Sequence, residues 1–137
     1  MKQSAGTGPL SGVKIVDMST VVFGPLATMI LADLGAEVIK IESPGRGDVM
    51  RFAGDSPTGD LGPIFTALNR NKASLVLDLK TNDGRSELNA LLGDADVFLH
   101  NVRMSGANRL GLDYESVRRI CPDIVYCFPS ATLRQIG

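Results

Sequence analysis

No tryptophan occurs among the 137 residues, and there are only one histidine and two cysteines. So few soft or imidazole ligands cannot build a metal cluster of the usual kind. Cys121 precedes a proline and Cys127 lies in an apolar run, which gives no disulfide framework and points to a reducing cytoplasm. No apolar run approaches the length a helix needs to cross a bilayer, so no membrane partner is expected. The opening segment, MKQSAGTGPLSG, is polar and glycine-rich, without the apolar stretch of a signal peptide. It is read as a flexible lead-in over residues 1–10. A formal net charge of −1 argues against nucleic acid as a partner. Internal repeats and low-complexity tracts are absent as well.

What is present is a βαβ signature over residues 13–42, VKIVDMSTVVFGPLATMILADLGAEVIKIE. Val13–Met18 is a β-branched run long enough for a buried strand and too short for a helix. Pro25 suits the first position of a helix, where its missing N–H leaves no bond unmade. Leu26, Met29, Ile30 and Leu34 follow at helical spacing, and Gly35 stands where a helix end turns to positive φ. Val38, Ile39 and Ile41 make a second strand ending at Glu42. Such a unit has parallel strands and a right-handed crossover.

Residues 43–65 are dense in glycine, proline and aspartate, a long connection of the kind that is usually functional or mobile. Ile64–Leu68 adds a turn of helix. Ser74–Leu79 reads as the third strand. Thr81 or Asn82 caps a helix through Leu88, Leu91 and Leu92, broken at Gly93. Asp96–Leu99 is a fourth strand, and RMSGANRLGL carries a short helical piece at most. Asp113 or Tyr114 opens a helix through Ile120 that Pro122 stops, before a fifth strand at Ile124–Phe128. This alternation predicts an α/β domain: an open parallel Rossmann-like sheet with helices on both faces.

In such sheets ligands sit beyond the carboxyl ends of the strands. Ser19–Gly24, Glu42–Arg51, Lys80, His100–Met104 and the residues from Pro129 onward fall there. Gly24, Gly45 and Gly47 would let a ligand approach backbone, and Arg46, Arg51, Arg103, Arg109, Lys72 and Lys80 would meet anionic groups. A multiply anionic, nucleotide-like ligand fits that list; a solvated loop with scattered charges fits it equally well. An NAD site is the specific version, because Glu42 lies 18 residues after Gly24. It fails at the turn. STVVFGP holds one glycine followed by proline, not G-x-G-x-x-G, so a pyrophosphate cannot reach the helix start in the usual way.

The segments PLSGVKIVDMS, GPLATMILADLGAEVIKIESPGRGD, LNRNKASLVLDLKTNDGR, ADVFLHNVR and RLGLDYESVRRICPDIVY resemble, in order and spacing, the N-terminal part of the family III CoA-transferases. These are the relatives of formyl-CoA and carnitine CoA-transferases, a family that also includes acyl-CoA racemases. The long Gly/Pro stretch and NRNKASLVLDLK favour the transferase branch. The resemblance implies a Rossmann-like CoA-binding domain over residues 11–128 and a divergent tail over 129–137. Coenzyme A or acyl-CoA would be a substrate, with a carboxylic acid as the other partner, and no cofactor would be held permanently. The matching CoA-binding positions are Val22, Phe23, Ser43, Leu77, Asp78, Leu79, Lys80, Asn101, Val102, Arg103 and Arg109. Lys80, Arg103 and Arg109 would meet phosphates, and the apolar positions would flank adenine.

Departures from the family pattern carry weight of their own. Ser43 stands where some members have arginine, and His100-Asn101-Val102 where the family usually reads Glu-Asn-Phe. His100 is read as a partly buried residue at a strand end, not as a catalyst. The family's nucleophile is an aspartate that attacks the acyl-CoA thioester and carries acyl and CoA groups in turn. No aspartate here matches it: Asp17, Asp33, Asp48 and Asp78 are each read as cap, loop or surface. No catalytic residue and no metal ligand is therefore assigned. PSATLRQIG also departs from the glycine-rich segment the family has after strand five. The resemblance thus implies a truncated chain whose missing part a homodimer or partner chain would supply, family members being interlocked dimers. The alternatives are a non-catalytic CoA- or nucleotide-binding module needing a partner chain, or an acyl-CoA racemase relative.

Overall fold

The structure, a computed structural model, describes residues 7–56, 59 and 61–129. Strands β1 (Lys14–Met18), β2 (Glu37–Glu42), β3 (Lys72–Val76), β4 (Val97–His100) and β5 (Val125–Cys127) form one all-parallel sheet in the order β3-β2-β1-β4-β5. Helix α1 (Phe23–Asp33) crosses from β1 to β2, and α2 (Pro63–Leu68) precedes β3. Helix α3 (Asn82–Gly93) links β3 to β4, while α4 (Met104–Leu110) and α5 (Tyr114–Ile120) lie between β4 and β5.

Strand alternation sorts the core into two layers. Ile15 and Val38 pack with Ala32 and Ala36 on the α1 side, where α2 lies against α1. Val16, Ile41 and Phe98 face the other way, onto Leu88 and Leu92 of α3, Ala107 of α4 and Val117 of α5. Each fully buried side chain of that size contributes roughly 1.5–3 kcal/mol over its exposed state. The expected parallel sheet with helices on both faces is what the chain forms.

The local signals act largely as their chemistry dictates. Thr81 Oγ1 accepts from Gly84 N (3.1 Å) to cap α3, and Asp113 Oδ1 accepts from Ser116 N (3.0 Å) to cap α5. Gly35 turns the chain after α1 at φ +102°. Helix α1 starts earlier than proline placement suggests, with Leu26 N donating to Val22 O at 2.8 Å. Pro25 sits within that first turn, where a missing N–H costs nothing.

Strand three is shifted from the expected Ser74–Leu79 to Lys72–Val76. Lys72 enters the sheet because its ammonium is buried against Asp17 at 3.0 Å. Leu77 N makes one more bond to β2, to Glu42 O at 3.0 Å, before Thr81 N closes a turn on Asp78 O at 3.0 Å. Leu77–Lys80 are thus a loop beyond the strand, not the strand itself. Of the lead-in, residues 1–6 lie outside the described residues. Leu10 is tied down, its N–H donating to Leu34 O at 3.0 Å. The tail beyond residue 129 lies outside the described residues. Among the described residues no helix is long and apolar enough to cross a membrane.

Candidate functional site

Beyond the carboxyl ends of β1 to β4, the loops enclose a cleft of about 830 Å³. It spans the point where the strand order reverses, between β1 and β4, which is where open α/β sheets place ligands. Met18 and Thr20 reach it from β1, and Ile41 to Pro44, Gly47 and Asp48 from β2 and the connection after it. Leu77 to Lys80 line it after β3, Arg85 comes from α3, and Val102, Gly106, Arg109 and Leu110 follow β4. The lining is therefore mixed: Met18, Ile41, Leu77, Leu79 and Val102 are apolar, Lys40, Glu42, Asp48 and Asp78 are charged, and Lys80, Arg85 and Arg109 add cations from the later loops and helices.

Seven of the positions expected to bind coenzyme, Ser43, Leu77, Asp78, Leu79, Lys80, Val102 and Arg109, come together on these walls. Four do not line the cleft. Val22 and Phe23 stand exposed at the start of α1, Phe23 at 75%. Asn101 is a clamp: its Oδ1 accepts from Thr20 N and its Nδ2 donates to Thr20 O, both at 3.0 Å. It thereby ties the turn after β1 to the end of β4. Arg103 caps the start of α4 through its carbonyl, which accepts from Ala107 N at 2.9 Å.

His100 is fully buried rather than partly so, enclosed by the rings of Phe98, Tyr126 and Phe128. Tyr126 Oη donates to Leu112 O at 2.7 Å, so the proton between Tyr126 and His100 sits on Nε2. Nδ1 has no hydrogen-bond partner, and burial lowers the imidazole to about 4. The ring is neutral and structural.

The ionic groups under α1 were the part sequence reasoning missed. Asp17 and Asp48, read as cap, loop or surface, are both fully buried. Asp17 accepts from Ser19 Oγ, Thr28 Oγ1 and Lys72 Nζ. Burial pushes its carboxyl up, but the Lys72 and Lys40 charges and these hydroxyls outweigh it and hold it below the ordinary range. Asp48 faces Lys40 Nζ at 3.0 Å and caps the 3₁₀ turn Val49–Phe52 by accepting from Met50 N. Asp33 and Asp78 are what they were read as: Asp33 pairs with Arg70 on the surface, and Asp78 accepts from Lys80 N in its turn. A signal for the buried set exists in VIKIE, where Lys40 and Glu42 alternate with apolar residues inside a buried strand.

Glu42 itself rules out the ribose-binding role. Its carboxylate takes Arg51 Nη2 (2.6 Å), Arg51 Nε (2.8 Å) and Ser74 Oγ (2.6 Å), and it is 4% exposed. At Gly24 a side chain would overlap Ser19 Cβ and Oγ, so this glycine serves close packing of the helix start on β1, not access for a phosphate.

An open, parallel, Rossmann-like α/β domain with a cleft at its switch point is the class of fold this chain forms. Residues 10–131 match CoA-transferase family III, and the chain belongs to that family. It is 43% identical to the human succinyl-CoA:glutarate CoA-transferase over 87% of this chain and 27% of that protein. It is 41% identical to the succinate–glutarate CoA-transferase of Agrobacterium fabrum over 87% of this chain and 31% of that one. A CAIB/BAIF family protein from Brucella suis superposes with a TM-score of 0.82 at 39% identity, covering 88% of this chain and 33% of that one. The chain thus spans about a third of the length of the relatives it matches, their N-terminal part.

Proposed function

We propose that this chain is the coenzyme A-binding part of a CoA-transferase that moves CoA between carboxylic acids through an aspartyl-linked intermediate. The observation that supports this most directly is the convergence of Ser43, Leu77–Lys80, Val102 and Arg109 on one cleft at the switch point. Lys80 and Arg109 meet the phosphates as charge-assisted donors, Arg109 with a planar fork suited to two oxygens at once. Leu77, Leu79 and Val102 flank the adenine. Asn101 acts one step removed, by holding the turn at Thr20, and Val22, Phe23 and Arg103 contribute from the cleft's margin. Coenzyme A enters and leaves as substrate, with no permanent cofactor.

The nucleophile of the family reaction comes from outside this segment. Both aspartates on the cleft wall are engaged, Asp48 with Lys40 and Asp78 with the Lys80 amide. The partner is therefore further polypeptide of the family fold, in an interlocked dimer or as a companion chain, working in acyl-CoA metabolism in the cytoplasm. Relatives named for glutarate, oxalate and mesaconate support small dicarboxylic acids as the acid class.

Thermal unfolding with added ligand tests the reading. Coenzyme A at about a hundred times its Kd stabilises the folded state by about 2.7 kcal/mol, a rise of several degrees in Tm. Pantetheine, lacking the phosphates, is expected to give a much smaller rise. No change with coenzyme A in a chain that unfolds cooperatively would contradict the assignment.

A further inference from the structure

The end of β2 holds a buried ionic arrangement that the cleft lining does not by itself explain. Lys40 and Glu42 project from the same face of the strand. Lys40 Nζ, in a side chain 1% exposed, lies 3.0 Å from Asp48 Oδ2 and donates to Ser19 O at 2.8 Å. Asp48 Oδ1 accepts from Val21 N at 3.3 Å, and Asp48 N donates to Glu42 Oε2 at 3.0 Å. One aspartate thus joins the β2 end, the β1–α1 turn and the connection after β2. The nearer part of that connection, Ser43, Pro44 and Gly47, walls the cleft.

Two further observations show that this geometry is imposed. Val21 sits at φ +75°, a conformation a β-branched residue adopts only when its surroundings hold it there. Gly47, at φ +61°, passes so close to the Glu42 carboxylate that any side chain would overlap Oε2. A buried ion pair is a weak source of net stability, because desolvation offsets most of its attraction; replacement by apolar groups of similar size is often neutral or stabilising. In some proteins such a pair instead fixes a single registry.

We propose that Lys40 and Asp48 are positioning residues for the cleft: their pair fixes residues 43–51 against the β1–α1 turn in the one arrangement that accepts coenzyme A. The claim about the ligand rests on the coenzyme reading above; the claim about the connection does not. Asp17 and Lys72, the neighbouring buried pair, remain matched to each other when Lys40 and Asp48 are neutralised together.

The test compares the native chain with Lys40→Met/Asp48→Leu and with Asp48→Asn. Three readings are taken: Tm, amide exchange over residues 43–51, and the Kd for coenzyme A. Both variants are expected to unfold cooperatively, with exchange in this segment at least tenfold faster and coenzyme affinity at least tenfold weaker. Native exchange rates or native affinity in a folded variant would overturn the proposal. Should the double variant fail to fold, Asp48→Asn decides by the same two readings. Should the native chain bind no coenzyme, that reading falls alone, and the exchange contrast still decides whether the pair positions the connection.

Discussion

At Glu42, burial favours the protonated acid, but the Arg51 guanidinium, the Ser74 hydroxyl and the Asp48 amide overcome it and hold the carboxyl at about 2. The unfolded chain binds this proton more readily, so the stabilisation is complete above the ordinary value of 4.5 and is lost as pH falls toward 2. A shift of that size is worth roughly 3 kcal/mol. Glu42→Gln is expected to cost about 2–3 kcal/mol at neutral pH, because Arg51 loses its charged acceptor, and to flatten the acid limb. Urea unfolding at a series of pH values reads both. His100 works in a higher window. Burial lowers it from 6.5 to about 4, so its contribution is complete above 6.5 and fades as pH falls from there to 4. His100→Phe is expected to remove the pH slope between those two values. The role of Glu42 was not legible in the sequence, and of His100 only its structural place at a strand end was. Glu42 stood at a spacing that fits a ribose acid, and His100 at a strand end with no sign of the Tyr126 ring 26 residues on.

The elements were far more legible, because their signals are local. Strand-length β-branched runs, the Thr81 and Asp113 caps and the Gly35 turn each act through atoms within a few residues. The register of β3 was not, since it depends on Lys72 meeting Asp17 across the sheet, a contact that no local pattern announces. The β1–α1 turn offers a test at this scale. Asparagine tolerates the left-handed region that Val21 occupies, so Val21→Asn is expected to stabilise the fold by about 1 kcal/mol. A Tm below that of the native chain would contradict strain at this turn. At the start of α3, a Cβ on Gly84 would overlap Asp78 O, which belongs to the cleft-wall loop. Gly84→Ala is expected to cost about 1–3 kcal/mol and to weaken coenzyme binding by displacing that loop.

At the scale of the whole molecule, α1 is apolar on both sides. Thr28, Met29 and Ala32 are buried, while Phe23, Leu26, Ile30 and Leu34 form an outer stripe that stays exposed. Exposed apolar surface of this kind associates in water. Concentration-dependent assembly in sedimentation is expected, and Ile30→Glu should reduce it. The cleft follows from topology, since a parallel sheet that reverses at β1 and β4 must open there. That makes Ser43, Lys80 and Val102 readable from strand order, whereas Leu77, Asp78, Leu79 and Arg109 follow from the family resemblance and Arg85 and Lys40 reach the same cleft through packing.

Isothermal titration of the chain with coenzyme A, at low and moderate salt, is the measurement to make first. Saturable heat that weakens with salt, is reduced in Lys80→Ala and is lost in Arg109→Ala is the expected result, each lost phosphate contact reducing the electrostatic attraction. A chain folded by circular dichroism that gives no heat, or gives the same heat without Arg109, would contradict the assignment of this cleft to coenzyme A.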